Sequence, residues 1–365
     1  MTKQAKQFTE EQLHEMVIKL RTWSAELGFD ELRVTDTDVS QYVNSHKQCI
    51  DAGYHGEMSY LERNQELRYA PEKLLPGTLR IITTRMNYLP TETETVARLR
   101  TPDRAYIARY ALGRDYHKVM RKKLTDLARK LEADIGPYNY RAFVDSAPVL
   151  ERQLAEKSGM GWIGKNTLLL NEAAGSWFLL GEIFTDVPLP IDKSSVTQRC
   201  GSCTACLDIC PTKAFVKPWV LDARKCISYL TIEYKGSIPV TLRPLMGNRV
   251  FGCDDCQIFC PWTKFSKNTD NLDFQPRHQL DDAQLIELFL WSEAEFDEKT
   301  MGSAIRRVGY ECWLRNLAIA LGNAPRSELI YTTLISRLGF SPLVNEHIEW
   351  ALSQYGDFRG KTTPR

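Results

Sequence analysis

The sequence predicts an α+β/α/β protein in three parts: an α/β domain over 1–190, a cysteine-rich module over 191–270 and a helical domain over 275–365. Three observations carry that division. Helical and strand periodicities alternate up to about residue 190. Eight of the ten cysteines fall between residues 200 and 260. From Asp281 onward only helical patterns remain.

The elements follow in order. Thr9 and Gln12 match a capping box for a helix over 9–27, and Gly28 sits where its C-terminal cap belongs. Leu13, Met16, Val17, Leu20, Trp23 and Leu27 make its core stripe. Residues 29–35 and 78–88 read as strands, 53–61 as a Gly-punctuated lead into a helix, and 90–102 as a polar surface loop. After His117 comes a helix with Met120, Leu124, Leu127 and Leu131 on one face. Its Arg121, Lys122, Lys123, Arg129 and Lys130 read as a solvated surface. Residues 138–144 form a strand ending at Asp145. A carboxylate there is either placed for chemistry, as at strand ends of open α/β sheets, or caps a helix over 149–156. Residues 159–170 are a Gly-rich turn running into a strand, with the wrong spacing for a P-loop, and 177–187 is a buried strand. In the helical part, residues 314–323 have a weak echo in 347–356, which fits either paired-helix repeats or a plain helical cap.

The cysteines carry the chemistry. Cys200, Cys203, Cys206 and Cys210-Pro211 have the C-x2-C-x2-C-x3-C-P spacing of a bacterial ferredoxin. Cys253, Cys256 and Cys260-Pro261 repeat its last three positions. Where two clusters are held this way, the last Cys of each run serves the other cluster. One four-iron cluster then takes Cys200, Cys203, Cys206 and Cys260. The other takes Cys210, Cys253 and Cys256, with Cys226 as its fourth ligand. Zinc and disulfides are the competing uses of such cysteines. Cys49 and Cys312 remain as structural thiols.

Clusters move single electrons, so an acceptor is required. No GxGxxG fingerprint marks a dinucleotide site. Asp115 and His117 begin a D-x-H-x-x-G pattern, which would supply a histidine to cobalt, but Met120 stands where its Gly belongs. The net charge of +1 excludes a global field for nucleic acid, leaving only local patches. No window of 18 apolar residues occurs, and Met-Thr-Lys-Gln-Ala-Lys at the start is not a signal segment. The expectation is a reduced, cytoplasmic protein without a membrane partner.

Residues 108–117, 145–148, 161–166, 200–211 and 252–257, taken together and in order, resemble the epoxyqueuosine reductases. The resemblance implies a nitroreductase-like cobalamin-binding domain, an inserted module for two 4Fe-4S clusters and a C-terminal HEAT-like domain. It implies base-off cobalamin, reduced to cob(I)alamin, and conversion of epoxyqueuosine at wobble position 34 of tRNA to queuosine. The substrates would be tRNAs for Tyr, His, Asn and Asp, and an external donor would supply single electrons. Asp145 matches the family's proton donor, a role for which burial beside the corrin would raise its pKa. Arg68, Lys165, Ser228, Asp254 and Asp255 fall in segments used around the corrin. Lys235, Arg243, Arg306, Arg307 and Arg315 are candidates for tRNA phosphates. The cluster of Cys210, Cys226, Cys253 and Cys256 is expected nearer cobalt. A cobalamin-dependent reductive dehalogenase and a non-catalytic electron-transfer subunit are the alternatives.

Overall fold

The computed structural model describes residues 8–91, 94–193 and 196–355. The N-terminal hexapeptide, and Gly356 at the end of the helical echo, lie outside the described residues. Helix α1 (Glu10–Glu26) has the expected capping box between Thr9 and Gln12, and Gly28 turns the chain at φ +87°. Strand β1 (Glu31–Thr35), helix α2 (Ser40–Asp51), β2 (Arg80–Asn87), helix α3 (Tyr116–Ile135), β3 (Tyr140–Phe143), helix α4 (Glu151–Lys157) and β4 (Phe178–Thr185) complete the first half.

The sheet order is β1-β2-β4-β3, and every neighbouring pair is antiparallel. This corrects the open α/β reading: periodicity reveals strands but not their direction of pairing. The sheet is buried on both faces because successive side chains alternate. Ile82 and Ile183 pack toward α1 and α3, whereas Ile81, Phe143 and Phe184 pack toward Leu154 of α4. Residues 90–102 are also not a plain loop. Thr95–Arg100 is helical, held by tertiary contacts from Asn248 Nδ2 to the carbonyls of Arg98, Thr101 and Arg104.

The C-terminal helices are α5 (Leu285–Leu290), α6 (Glu293–Lys299), α7 (Tyr310–Asn323), α8 (Glu328–Ile335) and α9 (Pro342–Ser353). Helix α7 is buried over most of its length. A Cβ on Gly322 would stand 2.7 Å from Trp350 and 2.9 Å from Ala351, so only glycine lets α7 approach α9 this closely. One apolar core joins these helices to residues 105–112 and 223–251. Among the described residues no helix is long and apolar enough to cross a membrane.

His347 in α9 makes this region sensitive to acid. It is fully buried, takes the Ile238 N–H on Nε2 at 3.2 Å and gives its Nδ1 hydrogen to the Leu343 carbonyl at 2.7 Å. Burial, reinforced by the charges of Arg243 and Arg315, depresses its pKa to about 4. Below the ordinary histidine value the unfolded chain binds a proton that the folded chain refuses. Stability therefore falls as pH drops from about 6.5 to about 4, by about 3 kcal/mol for this group. Thermal melts of His347→Gln should show a smaller loss of Tm over that window than the parent. An equal loss would exclude His347 as the cause.

Candidate functional site

The functional side chains converge at the start of α3 and the end of β3. Asp115 caps α3, accepting the His117 N–H at 3.2 Å. The same oxygen lies 2.7 Å from His117 Nδ1. Two residues into the helix, the histidine ring turns outward, and its Nε2 meets Asp145 Oδ2 at 2.9 Å. Tyr116 stacks on that ring at 3.9 Å and donates its hydroxyl to Asp145 Oδ2 at 3.0 Å. Arg307, from the short 3-10 helix Ala304–Val308 before α7, donates to Asp115 Oδ2 at 3.0 Å and approaches His117 Nε2 at 3.1 Å.

Asp145 does not cap α4; Leu150 occupies that position without a side-chain bond. Asp145 has φ +50°, a conformation aspartate tolerates better than most residues. Its N–H is taken by the Glu151 carboxylate, and its side chain stays 57% exposed. Surrounding atoms push its carboxyl up, but the hydrogen bonds from His117 and Tyr116 outweigh them and hold it below the ordinary value. The expected raised pKa is therefore corrected for this arrangement, because the local donors favour the anion. Desolvation lowers His117, but bonds to Asp115 and Asp145 overcome it and the net shift is upward. Behind the loop, burial raises Glu151 to about 7 and Glu182, fully buried on β4, well above its ordinary value. His117, Tyr116, Glu151 and Glu182 were missed as site residues. The Asp-x-His spacing was the available signal, and it was read only as a cobalt-ligand motif.

The eight module cysteines gather in two groups. Cys200, Cys203, Cys206 and Cys260 line one cavity of about 260 Å³ with Lys165 and Trp262. Cys226 lies within electrostatic reach of Cys210, Cys253 of Cys226, and Cys256 of Cys226 and Cys210 and also of Cys206 in the first group. Cys226 precedes the helix Ile227–Ile232, and burial pushes its thiol up, a rise that the nearby N–H groups of Tyr229 and Ser228 only partly offset. Cys203 is exposed.

Other expected contacts resolve differently. Lys165 donates to the carbonyls of Gly201 and Cys203 at 2.7 and 2.9 Å and so braces the Cys200 cavity. Asp254 is buried and accepts from Tyr106 Oη and the Arg109 N–H, at 2.8 and 2.9 Å. Asp255 forms a two-pronged pair with Arg249 and accepts from Cys253 Sγ. Both aspartates thus brace the thiol loop. Ser228 sits in the first turn of the helix Ile227–Ile232, and its carbonyl accepts from Thr231 Oγ1 at 3.2 Å. Arg68 is buried, within electrostatic reach of Asp145 and Glu151, and its Nε has no partner among the described residues. Arg109 lies over the Tyr106 ring at 4.7 Å, 1% exposed, with Nε and Nη2 unpartnered among the described residues. Buried cationic donors left unsatisfied beside Asp254 and Asp145 fit a large ligand rich in amide and phosphate oxygens, as cobalamin is.

Of the RNA candidates, two are withdrawn. Arg243 is 1% exposed and bonded to the Ile238 carbonyl and Glu346. Arg315 is fully buried and donates to the carbonyls of Leu230, Tyr234 and Gly236. A buried guanidinium satisfied by carbonyls cannot reach a phosphate. Arg315→Ala should destabilise the fold by about 3 kcal/mol or more in chemical denaturation, by orphaning those carbonyls. It should leave the salt dependence of RNA binding unchanged; a flatter dependence in folded protein would restore Arg315 as a phosphate contact. Lys235 binds the Ile232 and Val308 carbonyls at 3.1 and 3.0 Å, and Arg306 pairs with Asp297 at 3.3 Å on the surface. Arg307 alone of the five touches the Asp145 constellation.

Residues 68–146 match the family model described as epoxyqueuosine reductase QueG, DUF1730, and residues 199–263 match the 4Fe-4S double cluster binding domain. The epoxyqueuosine reductase of Pseudomonas aeruginosa is 57% identical over 339 residues, covering 93% of this chain and 94% of that protein. That of Escherichia coli K12 is 53% identical over 342 residues, covering 94% and 90%. A crystal structure of an epoxyqueuosine reductase with a tRNA-Tyr epoxyqueuosine-modified stem loop superposes with a TM-score of 0.87 at 28% identity, covering 94% of this chain and 91% of that one.

Proposed function

The chain belongs to the epoxyqueuosine reductase family, and from that premise we propose that it deoxygenates epoxyqueuosine at wobble position 34 of tRNA to queuosine. Both C–O bonds of the strained ring break and a C=C bond forms. Two electrons and two protons carry the oxygen away as water. The observation that carries this reading is the hydrogen-bonded chain Asp115–His117–Asp145, with one carboxylate buried and the other open to a ligand.

Cobalamin would supply a strongly reducing cobalt for ring opening, and 4Fe-4S clusters would supply electrons singly. The chain's residues do the rest. Arg68 and Arg109 would hold corrin oxygens. Cys200, Cys203, Cys206 and Cys260 would hold one cluster, and Cys210, Cys226, Cys253 and Cys256 the other. The first group, where Cys203 is exposed, would take electrons from an external one-electron donor, and the second would pass them on toward the corrin. Asp145, the anion at rest, takes up a proton during the reaction and passes it to the departing oxygen. His117 supplies it from Nε2, and Asp115 keeps the ring oriented through Nδ1. Arg307 beside Nε2 disfavours the imidazolium and so eases that transfer.

Residues 1–190 then form a nitroreductase-like cobalamin-binding domain, 191–270 a ferredoxin-like module and 275–365 a HEAT-like helical domain. The substrates are cytoplasmic tRNAs for Tyr, His, Asn and Asp. The test is anaerobic reconstitution with iron, sulfide and cobalamin, then incubation with tRNA bearing epoxyqueuosine and a chemical reductant. Loss of one oxygen from the nucleoside by mass spectrometry supports the assignment; failure of the protein to take up any corrinoid overturns it.

A further inference from the structure

Helix α3 carries cations on two faces, and the structure separates them. Lys123 donates to the Leu27 carbonyl at 2.6 Å, and Lys130 pairs with Glu26 at 2.8 Å, so both are engaged by α1. Lys118, Arg121, Lys122 and Arg129 lie on another face and line a cavity of about 570 Å³. Their spacing of three, four and eleven residues is that of one helical stripe. The stripe is about 16 Å long, enough to meet several successive backbone phosphates.

Two features aim this groove at the reaction. It opens on Ser146, His117 and Arg307, beside the Asp145 carboxyl, and Arg121 Nη2 donates to Ser146 Oγ at 3.2 Å. Its lining holds five cationic side chains against two carboxylates, Asp115 and Asp126, in a chain whose net charge is only +1. Asp115 is already engaged by His117 and Arg307, and Asp126 by Lys122 at 2.8 Å and Arg129 at 3.9 Å. Lys118 and Arg121 have no carboxylate partner among the ion pairs of the described residues.

The geometry points to this groove as the track for the sugar–phosphate backbone of the RNA strand that delivers its base to Asp145. The inference rests on the RNA reading above and adds the surface that holds the strand. Such contacts position a nucleic acid without reading its sequence, and each releases counterions.

The test is the double variant Arg121→Gln with Lys122→Gln, and Lys130→Gln as the control on the other face. Binding of an unmodified anticodon stem loop is followed by fluorescence anisotropy across a salt series, which needs no turnover. The double variant should bind about tenfold more weakly, and its log–log salt slope should be shallower by about 1.5. Lys130→Gln should match the parent. With modified stem loop, KM should rise in the double variant while kcat stays within about twofold. An unchanged slope in a double variant that melts like the parent overturns the groove. A parent that binds the stem loop with the expected slope but deoxygenates nothing overturns the reductase reading and leaves the groove standing.

Discussion

Asp145→Asn should lower single-turnover deoxygenation by about 10²–10⁴-fold, the usual contribution of a positioned acid. The amide keeps the shape of the carboxyl and can still meet Tyr116 and His117, so corrinoid uptake and stem-loop affinity should be retained. What it cannot do is hold an acidic proton on Oδ2 at the position where the oxygen departs. The parent's pH profile follows from the same contacts. The proton shared by His117 and Asp145 is lost as pH rises through the His117 value, which its two carboxylate partners set above the ordinary 6.5. Turnover should therefore be full below that value and fall above it. His117→Gln should remove this alkaline limb while leaving Asp145 in place. Mass spectrometry of the nucleoside after quenching reads both variants. Turnover of Asp145→Asn within about threefold of the parent would exclude Asp145 as the acid.

The second large effect concerns the distant cysteine. Cys260 sits in the second run of the sequence but lines the cavity of Cys200, Cys203 and Cys206. Cys260→Ser should therefore drop iron from about eight to about four per chain, and turnover to background, because electrons then lack one of two steps. Adding Cys200→Ser should cost no further iron, since both residues serve one cluster. Adding Cys253→Ser should remove the rest. Cys226→Ser should behave as the mirror case, additive with Cys200→Ser but not with Cys253→Ser. Iron analysis with electron paramagnetic resonance of the reduced protein separates these patterns. Iron loss from Cys260→Ser with Cys200→Ser that exceeds the single variant would reject the partition.

Much of the machinery was legible beforehand, for identifiable reasons. The thiol spacing expresses local geometry, so Cys200 through Cys210 announced themselves. Cys226 was chosen by counting thiols, and it stands at a helix start within electrostatic reach of Cys210, Cys253 and Cys256. The capping box at Thr9 and the stripe of α1 were readable because they depend on residues within one or two turns.

Charges were read less well. Arg243, Arg306, Arg307 and Arg315 are equivalent as letters. Burial among carbonyls makes two of them structural, a surface ion pair occupies the third, and only Arg307 reaches the Asp115–His117 pair. The stripe of α3 was taken as a solvated face, and nothing local distinguishes Lys122 from Lys123. The packing of α1 does so, by covering one side of the helix and leaving the other open.

The sequence by itself determined the two cysteine runs of the double-cluster module, the succession of helices and strands, and Asp145 as the carboxylate at a strand end, because each is written in short-range spacing. Only the tertiary structure decided the antiparallel order β1-β2-β4-β3, the move of Lys165 to the Cys200 cavity and the joining of Asp115, His117, Asp145 and Arg307. Those depend on contacts between residues as many as 192 positions apart. Burial and hydrogen-bond partners at such separations are set by packing of the whole chain, which no local pattern encodes.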